Sequence, residues 1–468
     1  MSLRSSQPVR VPGARAGWPD AARGDYQRAR IAHWDGVARR MDARVGLSGY
    51  YHWRLAQIYQ FLVTPGQRVL EIGCGRGDLL AALKPSVGVG IDFSGEMIRR
   101  AAQRHPDLRL VQADGHELRL DEEFDVIILS DLVNDLWDVQ AIFQQVARVA
   151  NHRSRIILNW YSRLWEPPLA MTERLGLANP TLYQNWLATE DIANLLHLTG
   201  LEVIRHWQEI LWPVRTPILD ALFNRFLVKT WPAEILGLTN FLVARPRRMR
   251  PLLGTAPLVS VVIPARNEAG NISQIFARVP EMGSGTELVF VEGHSKDDTW
   301  DVIEQTKADH PERRCKLFRQ TGIGKADAVR LGFEQASGSI LMILDADLTV
   351  PPEDLPRFYK VLMSGDGEFV NGVRLVYPME KRAMRFLNMA GNKLFGWIFS
   401  WILGQSIRDT LCGTKALWKS DYERITANRA YFGEFDPFGD FDLLFGAAKL
   451  NLKIVDLPIR YRERTYGS

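Results

Sequence analysis

Two aspartates separated by one residue, Asp345 and Asp347, follow a short apolar run at residues 340–344. Alternate residues of a strand point the same way, so two carboxylates at a strand end can converge on one ion. Oxygen ligands of this kind suit Mg²⁺ or Mn²⁺, and these ions commonly accompany phosphate groups. The pair predicts a metal site for a phosphorylated ligand. In isolation it is equally consistent with a charged turn after a buried strand.

A second set of acids and glycines lies in the first half of the chain. The segment 71–77 has the sequence EIGCGRG, and two later apolar runs also end in an acid. A dinucleotide-binding fold would favour Gly-x-Gly-x-x-Gly with a pyrophosphate at the helix N-terminus. A carboxylate before the glycines would repel pyrophosphate and suit a cationic ligand. The residues concerned are Glu71, Gly73, Gly75, Gly77, Asp92 and Asp114.

Strand-like and helical segments alternate in both halves, which predicts α/β domains with ligands at the C-terminal ends of the strands. Prolines, arginines and a glycine at residues 246–257 indicate a linker between two domains. We therefore assign residues 1–24 to a disordered lead-in, residues 25–245 to the first domain and residues 258–468 to the second.

Composition excludes several classes of function. The chain of 468 residues is 46% hydrophobic and 24% charged, as in globular proteins. Its net charge of +4 provides no general field for nucleic acid. Three widely spaced cysteines form neither a disulfide framework nor a zinc site, which fits the reducing cytoplasm.

No apolar run reaches the roughly 18–20 residues needed to span a bilayer, but two segments are unusually apolar. Residues 207–242 are interrupted by three prolines, and we expect a buried helix there. Residues 384–403 combine tryptophans with flanking cations, Arg385 and Lys393. That pattern predicts an interfacial helix making peripheral contact with a membrane.

Residues 48–245 resemble the class I S-adenosylmethionine-dependent methyltransferases, through the EIGCGRG motif, Asp92 and Asp114 in order. The resemblance implies S-adenosylmethionine as cofactor. It implies that Gly73 and Gly75 lie under the methionine part with Glu71 nearby, that Asp92 holds the ribose hydroxyls, and that Asp114 meets the adenine. Four residues are candidate bases for the methyl acceptor, and none is selected: His33, His52, His116 and Asp131.

Residues 258–468 resemble the family 2 glycosyltransferases of the GT-A fold, most of all the polyprenyl-phosphate sugar transferases of the dolichyl-phosphate mannose synthase type. The resemblance is carried by VVIPARNE at 261–268, VEGHSKDDT at 291–299, GKADA at 324–328, DAD at 345–347, RDTLCGTK at 408–415 and PIRYRERTYG at 458–467.

The resemblance implies a GDP- or UDP-linked sugar as donor, with Asp345 and Asp347 holding the metal on its diphosphate. Two departures from the family pattern are Gly293, where relatives often carry Asp, and Thr349, where many carry Gln or Ser. The remaining residues assigned to the nucleotide sugar are Pro264, Arg266, Glu268, Glu292 and Lys325.

The acceptor can be considered from its chemistry. A sugar hydroxyl requires a general base, for which Asp440 or Asp442 could serve. A lipid phosphate is largely ionised near neutral pH, because its second pKa is about 6. It requires cations instead, and Arg374, Arg385 and Lys393 would supply them.

We therefore expect a bifunctional enzyme, with a Rossmann-like methyltransferase sheet followed by a GT-A sheet. The second domain would be a metal-dependent, inverting glycosyltransferase acting on a polyprenyl phosphate at the cytoplasmic membrane face. The alternative is a sugar or protein hydroxyl acceptor, with the first domain a regulatory S-adenosylmethionine-binding module. Because several relatives continue with membrane helices, we expect either a trimmed chain or a tailless one that docks through residues 384–403.

Overall fold

The chain forms two seven-stranded mixed sheets, one from each half, as expected for two α/β domains. The computed structural model describes residues 20–41, 48–174, 182, 184–247, 256–374, 396, 398–400, 403–405, 407–410, 412–428, 441–459 and 466.

The first domain places helices around a largely parallel sheet. Its strands are β1 (Arg68–Ile72), β2 (Val87–Asp92), β3 (Arg109–Gln112), β4 (Phe124–Ser130), β5 (Ala150–Tyr161), β6 (Leu201–Glu209) and β7 (Thr239–Pro246). Its helices are α1 (Asp20–Met41), α2 (Ser48–Leu62), α3 (Asp78–Ala82), α4 (Gly95–Arg104), α5 (Val139–Val149), α6 (Glu166–Arg174), α7 (Thr189–Leu198) and α8 (Leu219–Ala221). The strand order is β3-β2-β1-β4-β5-β7-β6, with β7 antiparallel to both neighbours.

Local sequence accounts for where these helices begin. The Ser94 side chain accepts a hydrogen bond from Met97 N at 3.2 Å and so caps the N-terminus of α4. Asp138 caps α5 in the same way, through Ala141 N at 3.0 Å. The buried side chains of α5 recur at helical spacing and pack in the core of the sheet: Val139, Ile142, Phe143, Val146 and Val149.

The second domain has the same layered design. Its strands are β8 (Val259–Ala265), β9 (Thr286–Glu292), β10 (Arg314–Arg319), β11 (Ile340–Ile343), β12 (Phe369–Val373), β13 (Lys415–Trp418) and β14 (Ile454–Pro458). Its helices are α9 (Ile272–Arg278), α10 (Thr299–Asp309), α11 (Lys325–Gln335), α12 (Leu355–Ser364), α13 (Lys419–Ala427) and α14 (Phe441–Lys449). The strand order is β10-β9-β8-β11-β13-β12-β14, with β13 antiparallel to β11 and β12.

Two expectations need correction. Helix α1 begins at Asp20, so residues 20–24 belong to a helix rather than to the lead-in. The buried helix expected within residues 207–242 is wrong, because β6 and β7 take up both ends of that range and short turns fill the middle. Proline removes a backbone donor and interrupts a helix, which explains the broken middle.

Most of residues 384–403 lie outside the described residues, as do Arg385, Lys393 and Asp440. Among the helices that the structure describes, none is long and apolar enough to span a bilayer.

Buried ion pairs join the two domains directly. Glu368 Oε2 lies 2.8 Å from Arg155 Nη2 and 3.0 Å from Arg245 Nη1, and it accepts a hydrogen bond from Lys453 N at 2.9 Å. Arg155 and Arg245 belong to strands of the first sheet, and all three charged side chains are buried. The two domains are therefore joined by a buried cluster of charged side chains as well as by the linker.

The position of this contact within each sheet is informative. Glu368 directly precedes β12 and Lys453 directly precedes β14, and these two strands run parallel. Arg155 pairs in register with Val126, near the start of β4. Each domain thus contacts the other through the N-terminal ends of parallel strands, so the C-terminal ends lie at the opposite edges.

We predict that Glu368→Gln destabilises the full chain by about 3–5 kcal/mol, because it leaves the buried guanidinium group of Arg155 without its carboxylate and removes one of the two carboxylates that pair with Arg245. Urea unfolding followed by tryptophan fluorescence would measure the loss. Glu353→Gln is the matched control, since Glu353 forms an exposed pair with Arg278 and such pairs contribute less than about 1 kcal/mol. Equal effects of the two substitutions would contradict the structural role of Glu368.

Two candidate active sites

The glycine-rich turn after β1 has the backbone that its sequence predicted. Gly73, Gly75 and Gly77 have φ values of 77°, 51° and 72°, in the left-handed region that favours glycine. A Cβ at Gly73 would lie 2.8 Å from Leu132 Cδ1, so the close approach of this turn to the end of β4 also requires glycine.

Asp92 holds this turn in place. Its Oδ2 accepts a hydrogen bond from Gly75 N at 2.9 Å, and its Oδ1 accepts one from Ser94 N at 2.8 Å. Burial raises the pKa of Asp92 to about 6, although both backbone amides favour the ionised form. The ribose contact assigned to Asp92 stays a prediction.

Glu71 is a buried acid beneath the same turn, with 2% of its surface exposed. Its Oε2 is buried and has no hydrogen-bond partner among the described residues. Burial raises the pKa of Glu71 to about 8. A buried carboxyl group without a cation is the arrangement that a positively charged ligand would relieve.

Asp114 lies at the turn after β3 and is engaged on both sides. Its Oδ1 accepts hydrogen bonds from His116 N at 2.9 Å and lies 2.6 Å from His116 Nδ1, while its Oδ2 accepts one from Gln27 Nε2 at 3.1 Å. Burial opposes ionisation of Asp114, but the bonds from His116 outweigh it and lower the pKa. The proposed adenine contact of Asp114 stays a prediction.

Helix α1 covers a pocket at this edge of the first sheet. The sequence alone did not lead us to expect this role for α1. Arg30 Nε lies 2.9 Å from Asp135 Oδ1, and Trp34 Nε1 donates to Asp135 Oδ2 at 2.7 Å. The signal was the spacing of Tyr26, Arg30 and Trp34, which places them on one helical face. The pocket combines this face with the strand ends, and among its lining residues are Tyr26, Gln27, Arg30, Gly73, Asp92, Asp114 and Asp135.

Asp131 follows β4 at the same edge and has an unusual backbone, with φ of 51°. Its Oδ1 accepts hydrogen bonds from Tyr51 Oη at 2.8 Å and from Asn159 Nδ2 at 2.6 Å. Its Oδ2 has no hydrogen-bond partner among the described residues. Burial raises the pKa of Asp131 to about 7. Hydrogen bonds to Oδ1 thus orient the carboxylate and leave Oδ2 without a bond to the described residues.

In the second domain, the turns after β8 and β9 are joined to each other. Asn267 N donates to Ser295 Oγ at 3.0 Å, and Lys296 N donates to Asn267 Oδ1 at 2.8 Å. Glu268 and Glu292 are buried within these turns, whereas Arg266 is exposed at the rim. The structure therefore brings these three predicted residues to one edge of the sheet, beside Pro264 at the end of β8.

Asp345 lies beyond the C-terminal end of β11 and pairs with Lys325, the first residue of α11, with 2.5 Å between Oδ1 and Nζ. A side chain at Gly413 would collide with both groups, so this position needs glycine. Burial opposes ionisation of Asp345, but Lys325, Lys415 and Arg374 together lower its pKa. Asp345 is therefore an anion at neutral pH, as a metal ligand must be.

Asp347 has a different setting. Its Oδ1 accepts hydrogen bonds from Thr349 N at 3.1 Å and Thr349 Oγ1 at 2.8 Å. Its Oδ2 has no hydrogen-bond partner in the described part of the chain. Thr349 thus orients Asp347, which gives a role to this departure from the family pattern.

The residues present fit a magnesium site whose coordination is completed by phosphate groups of the substrate and by water. No group of three metal-ligating side chains occurs among the described residues. Mg²⁺ is commonly held by one or two carboxylates together with substrate phosphates and water. Asp345 and Asp347 supply that number.

The predicted acceptor residues divide between described and undescribed parts of the chain. Arg374 forms a bidentate ion pair with the buried Asp409. The distances are 2.8 Å between Nε and Oδ2 and 2.9 Å between Nη2 and Oδ1. Asp442 lies in the first turn of α14, with Oδ2 3.5 Å from Arg330 Nη2. The roles of Arg374 and Asp442, like those of Arg385 and Asp440, stay predictions.

We predict that Glu71→Gln stabilises the protein increasingly as the pH rises. The folded-state pKa of Glu71, about 8, exceeds the ordinary value of 4.5, so the folded wild type loses stability between these two pH values. The stabilisation by Glu71→Gln, relative to wild type, should increase by about 3 kcal/mol from about pH 5.5 to about pH 8.5. Thermal unfolding at each pH would measure this change in stability. The control is Glu190→Gln, at an exposed position of α7. A difference that does not change with pH would contradict the prediction.

Comparison with known proteins finds a family model that matches within each domain. Residues 69–153 match the model of a methyltransferase domain, and residues 260–426 match that of glycosyl transferase family 2. The N-methyltransferase NodS of Bradyrhizobium japonicum, solved with S-adenosyl-L-homocysteine, aligns with 48% of this chain and 100% of its own, at 14% identity and a TM-score of 0.33.

Curated relatives match the second domain. The dolichol-phosphate mannosyltransferase of Pyrococcus furiosus is 33% identical over 219 residues, which are 45% of this chain and 58% of that protein. The glycosyltransferase AglJ of Haloferax volcanii is 28% identical over 215 residues, which are 46% of this chain and 66% of that protein. An undecaprenyl-phosphate 4-deoxy-4-formamido-L-arabinose transferase of Edwardsiella ictaluri is 24% identical over 217 residues, or 46% of this chain and 62% of the relative.

The chain therefore spans between 58% and 66% of the length of these three relatives. With the two sheets and the two family matches taken together, the chain contains a methyltransferase domain followed by a glycosyl transferase family 2 domain.

Proposed function

We propose that the chain is a bifunctional enzyme. The first domain transfers a methyl group from S-adenosylmethionine, and the second transfers one sugar from a GDP- or UDP-linked donor to a polyprenyl phosphate, with inversion at the sugar carbon. The observation that carries the second half is the pair of carboxylates after β11, one beside Lys325 and the other oriented by Thr349.

Charge at this edge supports a diphosphate-bearing donor. Asp345 and Asp347 would hold a Mg²⁺ or Mn²⁺ ion, which neutralises charge on a departing nucleoside diphosphate when it is bound. Lys325 lies within reach of the same diphosphate, because its ammonium group already contacts Asp345. Glu268 lies in the turn after β8 and Glu292 ends β9, where their carboxylates would accept hydrogen bonds from the ribose hydroxyls.

A lipid phosphate is the acceptor that the comparisons favour. Two of the relatives are named for transfer to dolichol phosphate and to undecaprenyl phosphate. Such an acceptor is already ionised and needs cations rather than a base. Arg374, held rigidly by Asp409, and Arg385 are the cations we propose for it. We propose that the enzyme acts at the cytoplasmic face of a membrane.

For the methyltransferase domain, we propose that Asp131 accepts the proton that the methyl acceptor loses. Tyr51 and Asn159 bind one carboxylate oxygen, and Asp131 directly follows β4, at the edge of the sheet that carries the glycine turn. S-adenosylmethionine would supply the methyl group to an acceptor oxygen or nitrogen, with its sulfur as the leaving group, and Asp131 Oδ2 would take the proton that the acceptor loses. A pKa of about 7 suits a base at neutral pH.

We predict that Asp345→Ala and Asp347→Ala each abolish the metal-dependent stabilisation of the chain by nucleotide sugars. A ligand raises the unfolding temperature by mass action, so loss of the metal removes that increment. A thermal-shift screen of GDP- and UDP-sugars, with Mg²⁺, with Mn²⁺ and with a chelator, would measure it. Asp309→Asn, at the exposed end of α10, should behave as wild type. A metal increment that survives Asp345→Ala would exclude the site.

We predict that Asp131→Asn lowers the methylation rate by roughly 100- to 10,000-fold while S-adenosylmethionine still binds. The wild-type rate should rise with pH through about 7, because the base must be ionised, and the variant should lack this rise. Methyl incorporation into membrane lipid extracts, together with calorimetric binding of the cofactor, would measure both. An unchanged rate and pH profile would exclude Asp131 as the base.

A further inference from the structure

The segment between β6 and β7, residues 210–238, directs large apolar side chains outward. Ile218 is 83% exposed, Trp231 is 80% exposed and Phe226 is 62% exposed. Scattered apolar side chains are ordinary on a protein surface, but a concentration of this kind indicates an interaction site. The segment also exposes Trp212, Leu219, Leu222, Ile235 and Leu236.

The buried side chain of Asn224 fixes the conformation of this segment through hydrogen bonds. Asn224, only 1% exposed, accepts hydrogen bonds from Leu211 N and Trp212 N, both at 2.8 Å. Its Nδ2 donates to Trp212 O at 2.7 Å and to Tyr50 Oη at 3.0 Å, which ties the segment to α2. The segment thus buries a polar side chain while eight large apolar side chains are exposed, which is unusual for a surface loop.

Ile218, at one tip of the segment, has φ of +70°. This conformation is unfavourable for a β-branched side chain, and cases of it are often found at functional sites. Since the side chain is 83% exposed, packing within the chain does little to offset the cost. Contact with an apolar medium outside the chain would offset it.

The charges around the apolar side chains point to the nature of that medium. Three cations of the segment are exposed, Arg215, Arg225 and Lys229, whereas Glu234 is an exposed acid and Asp220 is half-buried. Tryptophans beside cations are typical of protein surfaces that lie at the interface of an anionic membrane. We propose that residues 210–238 dock on the surface of an anionic phospholipid bilayer.

The shape of the surface favours a bilayer over a protein partner. Its most exposed side chains project singly from short turns, including a π-helical turn at Leu222–Phe226 and a 3-10 turn at Ala233–Leu236. A rigid partner would need a separate pocket for each projecting side chain, whereas fluid acyl chains enclose each one. The proposal differs from the expected contact through residues 384–403, which belong to the other domain.

The segment lies beside the candidate methyl-transfer site. Trp165 Nε1 donates to Leu236 O at 2.8 Å. Where the segment joins β7, Thr239 Oγ1 lies 3.2 Å from Tyr51 Oη, and Tyr51 in turn donates to Asp131. Docking would therefore bring the Asp131 edge to the lipid surface. If the proposed methyl transfer holds, its acceptor is a hydroxyl or amine group carried on a lipid.

The test is co-sedimentation of the full chain with vesicles of phosphatidylcholine and phosphatidylglycerol. We expect wild type to pellet with the vesicles, and Phe226→Ala combined with Trp231→Ala to weaken partitioning at least about tenfold, since two large side chains leave the apolar phase. Leu198→Ala is the matched control, because Leu198 is 59% exposed on α7 outside the segment. Unchanged thermal unfolding would show that both variants are folded.

Three results would overturn the proposal. Wild type could remain in the supernatant, or the double variant could pellet as wild type does, which would assign binding to another segment. Sedimentation velocity without lipid could instead show a dimer of wild type that the double variant loses, which would make the surface a contact between two copies. Vesicle binding requires neither transferase activity, so a failed proposal of function would be distinguished from a failed proposal of docking.

Discussion

The buried carboxylate of Glu368 is the interaction on which the arrangement of the whole chain depends. It contacts Arg155 and Arg245 of the first sheet from its position just before β12 of the second. Removing these charges from water is costly, and only complete pairing offsets that cost. The two domains are therefore complementary where they meet, at the N-terminal ends of their parallel strands. Their C-terminal ends, where α/β sheets bind ligands, are left for two separate chemistries.

The same residue type performs opposite electrostatic tasks at these two edges. In the first domain, Glu71 and Asp131 are buried acids whose pKa values are raised to about 8 and about 7. Neither has a cation beside it among the described residues, which suits a site awaiting a sulfonium. In the second domain, Lys325 holds Asp345 as an anion. A fixed anion and an adjacent ammonium suit a metal ion and a diphosphate. A neighbouring cation, rather than residue identity, separates the two designs, because burial opposes ionisation in both.

The sequence predicted what local chemistry determines. The glycine-rich segment at 71–77 and the acids at strand ends each depend on a few neighbouring residues. What it missed depends on distant contacts. Trp34 acquires its role from Asp135, about a hundred positions away, and Asn224 organises residues 211–212 only through the fold. The expected burial of residues 207–242 failed because apolar composition predicts contact with an apolar medium, and not whether that medium is the protein's own core.

The back-to-back arrangement constrains how the two reactions can be related. Because the domains meet at the N-terminal ends of their strands, the edges bearing Asp131 and Asp345 do not face each other. A product of one site cannot pass directly to the other through the interface. Two reactions on one glycolipid would instead require the substrate to leave one edge and reach the other by diffusion. A bilayer provides that route in two dimensions, since the proposed acceptor of the second domain is a lipid phosphate and the exposed segment at 210–238 borders the first. On this view the membrane, rather than a channel within the protein, would connect the two active sites.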